Sequence, residues 1–110
     1  MFIISLTGNS GAGKTTIVSN LIDAIGANNV SHLQQDSYYK DQSQIPLKER
    51  NNVNYDHPDT FDIDLFVLDL KKLSKGIIID APIYNFSTHT RESSTERIIP
   101  KKLILAEGIH

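Results

Sequence analysis

The segment Gly8-Asn9-Ser10-Gly11-Ala12-Gly13-Lys14-Thr15 fits GxxxxGK[ST] at every fixed position and constrains the fold more than any other feature of the chain. Before it, Phe2 to Leu6 is a short, nearly continuous apolar run, the pattern of a strand buried on both faces of a parallel sheet. After it, Val18, Leu21, Ile22 and Ile25 fall at i, i+3, i+4 and i+7, and Gly26 supplies a stop, so the spacing predicts a helix. The glycines let the backbone curl until successive N–H groups face phosphate oxygens. The loop delivers those oxygens to the helix N-terminus, where unpaired amides and the dipole favour negative charge. In such a site Lys14 reaches the β- and γ-phosphates, and the Thr15 hydroxyl is placed to ligate Mg²⁺. The competing reading is a plain glycine-rich turn; the strand before the loop and the helix after it are the context that favours nucleotide.

The rest of the chain continues as α/β. Val30 to Gln34 is a second strand, ending in the polar cluster Gln35 to Tyr39. Residues 40–59 are polar and turn-rich, with one helical turn expected after Pro46. Ile63, Phe66, Val67 and Leu70 repeat the helical spacing and Leu73 extends it. Asp59, Thr60 and Asp62 offer N-terminal caps, while Lys71, Lys72 and Lys75 sit where the dipole favours positive charge. Ile77 to Ile79 and Pro82 to Phe86 read as extended pieces, paired antiparallel with Glu96 to Ile99. Leu103 to Ala106 is a last apolar strand, closed by Glu107-Gly108. This order predicts a parallel sheet flanked by helices with a small antiparallel excursion. A length of 110 residues allows one core and one domain, residues 1–110.

Composition removes several function classes. Eleven Lys plus Arg against 13 Asp plus Glu give a net charge of −2, which argues against binding nucleic acid or an anionic membrane through bulk charge. With no cysteine, disulfides, thiolate zinc sites and cysteine nucleophiles are out. No apolar run reaches the roughly 18 residues needed to span a bilayer. The first residues lack a basic region and lead straight into the glycine loop, so no signal peptide is expected and a cytoplasmic location is the default.

A phosphate loop implies a triphosphate, not a reaction. The NKxD and DxxG segments of guanine-nucleotide switches do not occur. Glu107, at the end of an apolar strand, is either a carboxylate that holds Mg²⁺ directly or through water, or an ordinary surface residue. Asp36 follows the second strand and so lies at the carboxyl edge of a parallel sheet, where ligands bind. There it either orients an attacking hydroxyl, accepting its proton late, or satisfies amides of its own turn. His32, His57, His89 and His110 show no metal-ligand spacing, and each alone reads as structural. Tyr38, Tyr39, Tyr55, Tyr84 and Phe86 lie in or beside loops: either they line a pocket for a flat ring or they pack beneath long loops.

Taken together, these segments resemble the uridine kinase family of P-loop kinases along the whole chain. Gly8 to Thr16 resembles its phosphate loop, and Gln35-Asp36-Ser37-Tyr38-Tyr39-Lys40-Asp41 its QDSYYKD segment. Asn54-Tyr55-Asp56-His57-Pro58-Asp59 with Phe61-Asp62 is similar to its NYDHPDxFD segment. Pro82-Ile83-Tyr84 with Phe86 and Thr88-His89-Thr90-Arg91 is similar to PxYDFxxHTR, and Glu107-Gly108-Ile109 to its EGI strand end. The resemblance implies a P-loop NTPase fold and transfer of the γ-phosphoryl of ATP or GTP to the 5′-hydroxyl of uridine or cytidine. It implies phosphate binding by Gly8, Asn9, Ser10, Gly11, Ala12, Gly13, Lys14, Thr15 and Thr16, with Lys14 and Asp36 catalytic. Thr15, Asp36 and Glu107 would contact Mg²⁺, and Asp56 the ribose hydroxyls. Tyr84 and His89 would meet the pyrimidine edge, with Tyr39 and Phe86 lining the pocket. It leaves a homo-oligomeric full-length form open.

Three departures stand out. Asn85 takes the place of the family's usual Asp, and Gln34 that of a frequent Ser. His110 after Glu-Gly-Ile is a feature of the related phosphoribulokinases, so a sugar-phosphate acceptor is an alternative, as is a non-catalytic nucleotide-binding chain. Family members run to roughly twice this length, their later half supplying an arginine-rich lid and further parallel strands. On that comparison the chain is expected to be the N-terminal portion, with weak or no activity alone and an open apolar edge at Phe2 to Leu6.

Overall fold

The computed structural model describes residues 2–8, 13–50, 52–53 and 58–108. In chain order the elements are strand β1 (Phe2–Thr7), helix α1 (Lys14–Ile25), strand β2 (Val30–Gln34), the short helix α2 (Leu47–Arg50), helix α3 (Ile63–Ser74), and strands β3 (Ile79–Asn85), β4 (Thr90–Ile98) and β5 (Leu103–Gly108). Single 3-10 turns occupy Ala27–Asn29, Gln35–Tyr38 and Pro58–Thr60. The parallel sheet runs β1-β5-β2, so the last strand is its centre; β3 and β4 form a separate antiparallel pair. Leu103 is in register with both Phe2 and Val30, and Glu107 with both Leu6 and Gln34.

The helices begin and end where side chains or glycine satisfy their backbone. Asp62 caps α3, its Oδ1 accepting from the Leu65 N–H at 3.2 Å. At the other end Gly76 adopts φ 81°, and the N–H groups of Gly76 and Ile77 donate to the carbonyls of Leu73 and Lys72. That is a Schellman closure, and its left-handed residue is why glycine stands there. The extended piece expected from Ile77 accordingly starts two residues later, at Ile79. The β3–β4 ladder shifts register between Pro82 and Tyr84, where Pro82 has no N–H to give it.

The central strand is buried on both faces, because successive side chains point to opposite sides of the sheet and each side is covered. On one face Ile104 joins Leu33, Tyr38, Leu73, Ile79, Ala81 and Ile98 in the main core, with Leu65, Phe66 and Leu70 packed against it. Ser31, also buried, keeps its hydroxyl satisfied: it donates to the Ile99 carbonyl at 2.6 Å and accepts from the Lys101 N–H at 2.8 Å. Ile25, at the end of helix α1, lines an open apolar groove together with Phe2, Ile4 and Leu103.

One expectation needs correcting. Phe2 to Leu6 reads as a strand buried on both faces, yet Phe2 is 76% and Ile3 49% exposed. The reason is strand order: β1 pairs with β5 alone and stands at the sheet's edge. The open apolar edge implied by the family resemblance is what the structure has.

Candidate active site

The phosphate loop is pinned at both ends to regular structure. At its entry the Gly8 N–H donates to the Gly108 carbonyl at 3.2 Å, joining it to the end of β5. At its exit Gly13 takes a left-handed conformation (φ 81°) and its carbonyl accepts from the Ile17 N–H at 3.1 Å, opening α1. Asn9, Ser10, Gly11 and Ala12 lie outside the described residues. Among the described residues no side chain caps α1 and no acidic residue lies in its first turn, an arrangement whose amides and positive dipole end favour an anion. Thr15 and Thr16 occupy that first turn and are exposed.

Lys14 is buried. Its Nζ donates to the carbonyls of Gly8 and Gly108, both at 3.3 Å, and lies 3.8 Å from Glu107 Oε1. The lysine thus bridges the ends of two neighbouring strands at the sheet's carboxyl edge. Glu107 is no ordinary surface residue: its side chain is 14% exposed and its Oε2 lies 2.8 Å from His32 Nε2. Gly108 has its own constraint, since a Cβ there would overlap the Gln35 side chain.

Asp36 is exposed in the 3-10 turn that follows β2, two residues beyond Gln34, which is in register with Glu107. Its carboxylate makes no hydrogen bond among the described residues, so the turn is not held by it. Lys14, Glu107 and Asp36 are therefore brought to one edge. Among the described residues no three His, Asp or Glu side chains gather into a metal cluster.

The aromatic side is a packed cluster with an open rim. Tyr39, Phe61 and Tyr84 are buried together; Tyr39 stacks on Phe61 at 4.3 Å and sits 5.1 Å from Tyr84 between ring centres. Phe86 meets Tyr84 edge-on at 5.2 Å but is largely exposed. The His89 ring is 6.3 Å from that of Tyr84, presented by a backbone in the left-handed region (φ 57°), which is uncommon outside glycine. Tyr39 and Tyr84 are buried within this cluster, and Phe86 and His89 lie beside Tyr84. Tyr38 belongs to the main core: its hydroxyl donates to buried Asp69 at 2.7 Å, and burial, then that hydrogen bond, push its pKa well above the ordinary tyrosine value. Asp56 and Tyr55 lie outside the described residues, as do His57 and His110.

Two arginines lock these loops. Arg91 donates from Nε to the Tyr39 carbonyl at 3.0 Å, from a terminal nitrogen to Asp62 Oδ2 at 3.1 Å, and from its backbone N–H to Asp41 Oδ1 at 2.9 Å. The Ser43 hydroxyl, then the Arg91 N–H, hold the Asp41 pKa below its usual value. Arg50 donates to the carbonyls of Ile45, Thr88 and Ser43 at 2.7, 2.9 and 3.3 Å. Asn85 Oδ1 accepts from the N–H groups of Ser87 and Thr88, a role the family's usual Asp would fill equally, so this departure keeps the turn. Asp62 is both a helix cap and an arginine partner.

His32 and the two arginines are what sequence reasoning missed. Arg91 was visible within a motif but without a job, because its partners lie 29 and more residues away. His32 could be placed beside Glu107 only by knowing that β2 neighbours β5.

Residues 3–110 match the model of the Phosphoribulokinase / Uridine kinase family. The chain is 46% identical over 107 residues to a uridine kinase of Ligilactobacillus salivarius and 45% identical to one of Deinococcus deserti. These alignments cover 97% of this chain, but 50% and 52% of the relatives, so the chain spans about half their length. Among solved structures it is similar in fold to one described as a possible uridine kinase from Bacillus stearothermophilus (TM-score 0.69, 17% identity, 98% of this chain and 60% of that one). It is likewise similar to D-glycerate 3-kinase from Cryptococcus neoformans (TM-score 0.63, 18% identity, 97% and 42%).

Proposed function

Because the chain belongs to the Phosphoribulokinase / Uridine kinase family, we propose that it forms the donor-phosphate site and much of the acceptor site of a pyrimidine nucleoside kinase. The reaction moves the γ-phosphoryl of ATP or GTP to the 5′-hydroxyl of uridine or cytidine. The observation that carries this reading is the convergence at one sheet edge. Lys14 donates to the carbonyls of Gly8 and Gly108, Glu107 is beside it, and Asp36 is exposed in the turn that ends the neighbouring strand.

Each residue has a task that its chemistry suits. Gly8 to Thr16 cradle the triphosphate with backbone N–H groups, and Lys14 exchanges two neutral carbonyl partners for charged phosphate oxygens, a stronger bond. Asp36 orients the 5′-hydroxyl; a carboxylate is too weak a base to strip an alcohol beforehand, so its contribution is position and late proton acceptance. Asp56 pairs with the ribose diol. Tyr84 and His89 face the pyrimidine edge, with Phe86 and Tyr39 beside them. Thr15, Asp36 and Glu107 would hold Mg²⁺. A hydroxyl and one or two carboxylates suit an ion that keeps several waters and is carried mainly by phosphate. When bound, it neutralises charge on the β- and γ-oxygens. A cytoplasmic setting accords with this substrate pair, and no described helix is long and apolar enough to cross a membrane.

ADP release measured with uridine, cytidine and ribulose 5-phosphate tests the assignment. Turnover with the nucleosides supports it; turnover with the sugar phosphate alone moves the chain to a sugar-phosphate kinase. Stabilisation by ATP without turnover of any acceptor makes it a nucleotide-binding chain. Where nucleosides turn over, Asp36→Asn is expected to lower kcat by about 10²-fold or more while leaving ATP affinity in place; an unchanged kcat would remove Asp36 from the mechanism.

A further inference from the structure

Glu107 has two oxygens in different surroundings. Oε1 faces Lys14 at 3.8 Å, too far for a hydrogen bond, and Oε2 is 2.8 Å from His32 Nε2. The histidine reaches it by strand geometry. His32 is in register with Leu105, and Glu107 is the next residue of β5 on that face, so the two side chains meet diagonally across neighbouring parallel strands. Without that hydrogen bond the Glu107 carboxylate loses the partner that fixes Oε2 and is free to turn.

We propose that His32 is a positioning residue for Glu107. Its Nε2–H holds Oε2 and so fixes the orientation of the carboxylate, leaving Oε1 for the metal. This rests on the reading of Glu107 as a Mg²⁺ contact. A hydrogen-bonded partner behind a metal-binding carboxylate fixes its orientation, and losing such a partner typically weakens metal binding about 10- to 100-fold.

The test is a Mg²⁺ titration of the full chain at fixed ATP, followed by thermal stabilisation and by Mn²⁺ binding in electron paramagnetic resonance. Neither readout needs turnover. His32→Ala is expected to raise the Mg²⁺ concentration for half-maximal stabilisation about 10-fold, with metal-free ATP binding unchanged. His32→Leu, which fills the space without a donor, gives the same shift, whereas His32→Gln, which keeps an N–H, recovers most of the loss. Should His32→Ala fail to fold, the Leu and Gln pair carries the comparison. A midpoint unmoved by His32→Leu while Glu107→Gln moves it overturns the positioning role alone. A midpoint unmoved by Glu107→Gln overturns the metal reading and this proposal with it. Equal losses with and without Mg²⁺ in the His32 variants mark a structural residue and also overturn it.

Discussion

Two strands of nearly the same character, Phe2–Thr7 and Leu103–Gly108, end in opposite surroundings. Ile104 and Leu105 are fully buried, whereas their register partners Ile3 and Ile4 are 49% and 39% exposed. The two strands hydrogen-bond to each other, so neither apolarity nor pairing separates them. Position in the sheet does: β5 lies between β1 and β2, with the α3 core over one face, and β1 has a neighbour on one side only. An apolar run thus reports that a strand wants burial, and the sheet order decides how much of it is granted.

The sharpest way to break this contrast is a matched pair of truncations followed by urea unfolding. Ile104→Ala is expected to cost about 2–5 kcal/mol, because it opens a cavity in the main core. Phe2→Ala removes a largely exposed ring and should cost less than about 1 kcal/mol. Equal costs would mean that β1 is covered in solution.

A smaller effect probes the same buried half through its polar pair. Tyr38→Phe leaves the buried Asp69 carboxylate short of a donor, at a cost of about 1–3 kcal/mol. Since the folded pKa of Tyr38 is raised above its unfolded value of 10.0, its contribution is fully present below about pH 10 and is lost as pH rises beyond that. The difference between Tyr38→Phe and the parent should therefore narrow above about pH 10; a gap independent of pH would contradict it.

Smaller still is the effect expected in the exposed loop. The folded pKa of Asp41 is lowered from 3.8, so the stability it contributes is present above that value and fades as pH falls through it. Asp41→Asn should flatten part of the acid limb of the stability profile. An unaltered acid limb would mean that Ser43 and Arg91 do not hold Asp41 in solution.

Much of the local structure could be read directly. Val30–Gln34 was expected as a strand, the helix from Ile63 was expected with its Asp62 cap and its stop at Gly76, and the turn after Pro46 was expected to be helical; all are present. These features depend on side-chain period and on caps within a few residues, which a short window contains. Lys14 stands out in the sequence by its motif and Asp36 and Glu107 by their strand-end positions, and the structure brings the three to one sheet edge. How far the aromatic cluster closes on itself was not readable, because Tyr39 and Tyr84 meet across 45 residues of chain.

By itself, then, the sequence determined the phosphate loop, the elements around it and the family to which they belong, since each rests on local backbone chemistry. Only the tertiary structure decided which apolar strand became the centre, that Arg91 would join α3 to the hairpin, and that His32 would stand behind Glu107. Those outcomes depend on which strands become neighbours. Strand neighbourhood is settled by long-range packing that closes large loops, and no run of adjacent residues encodes it.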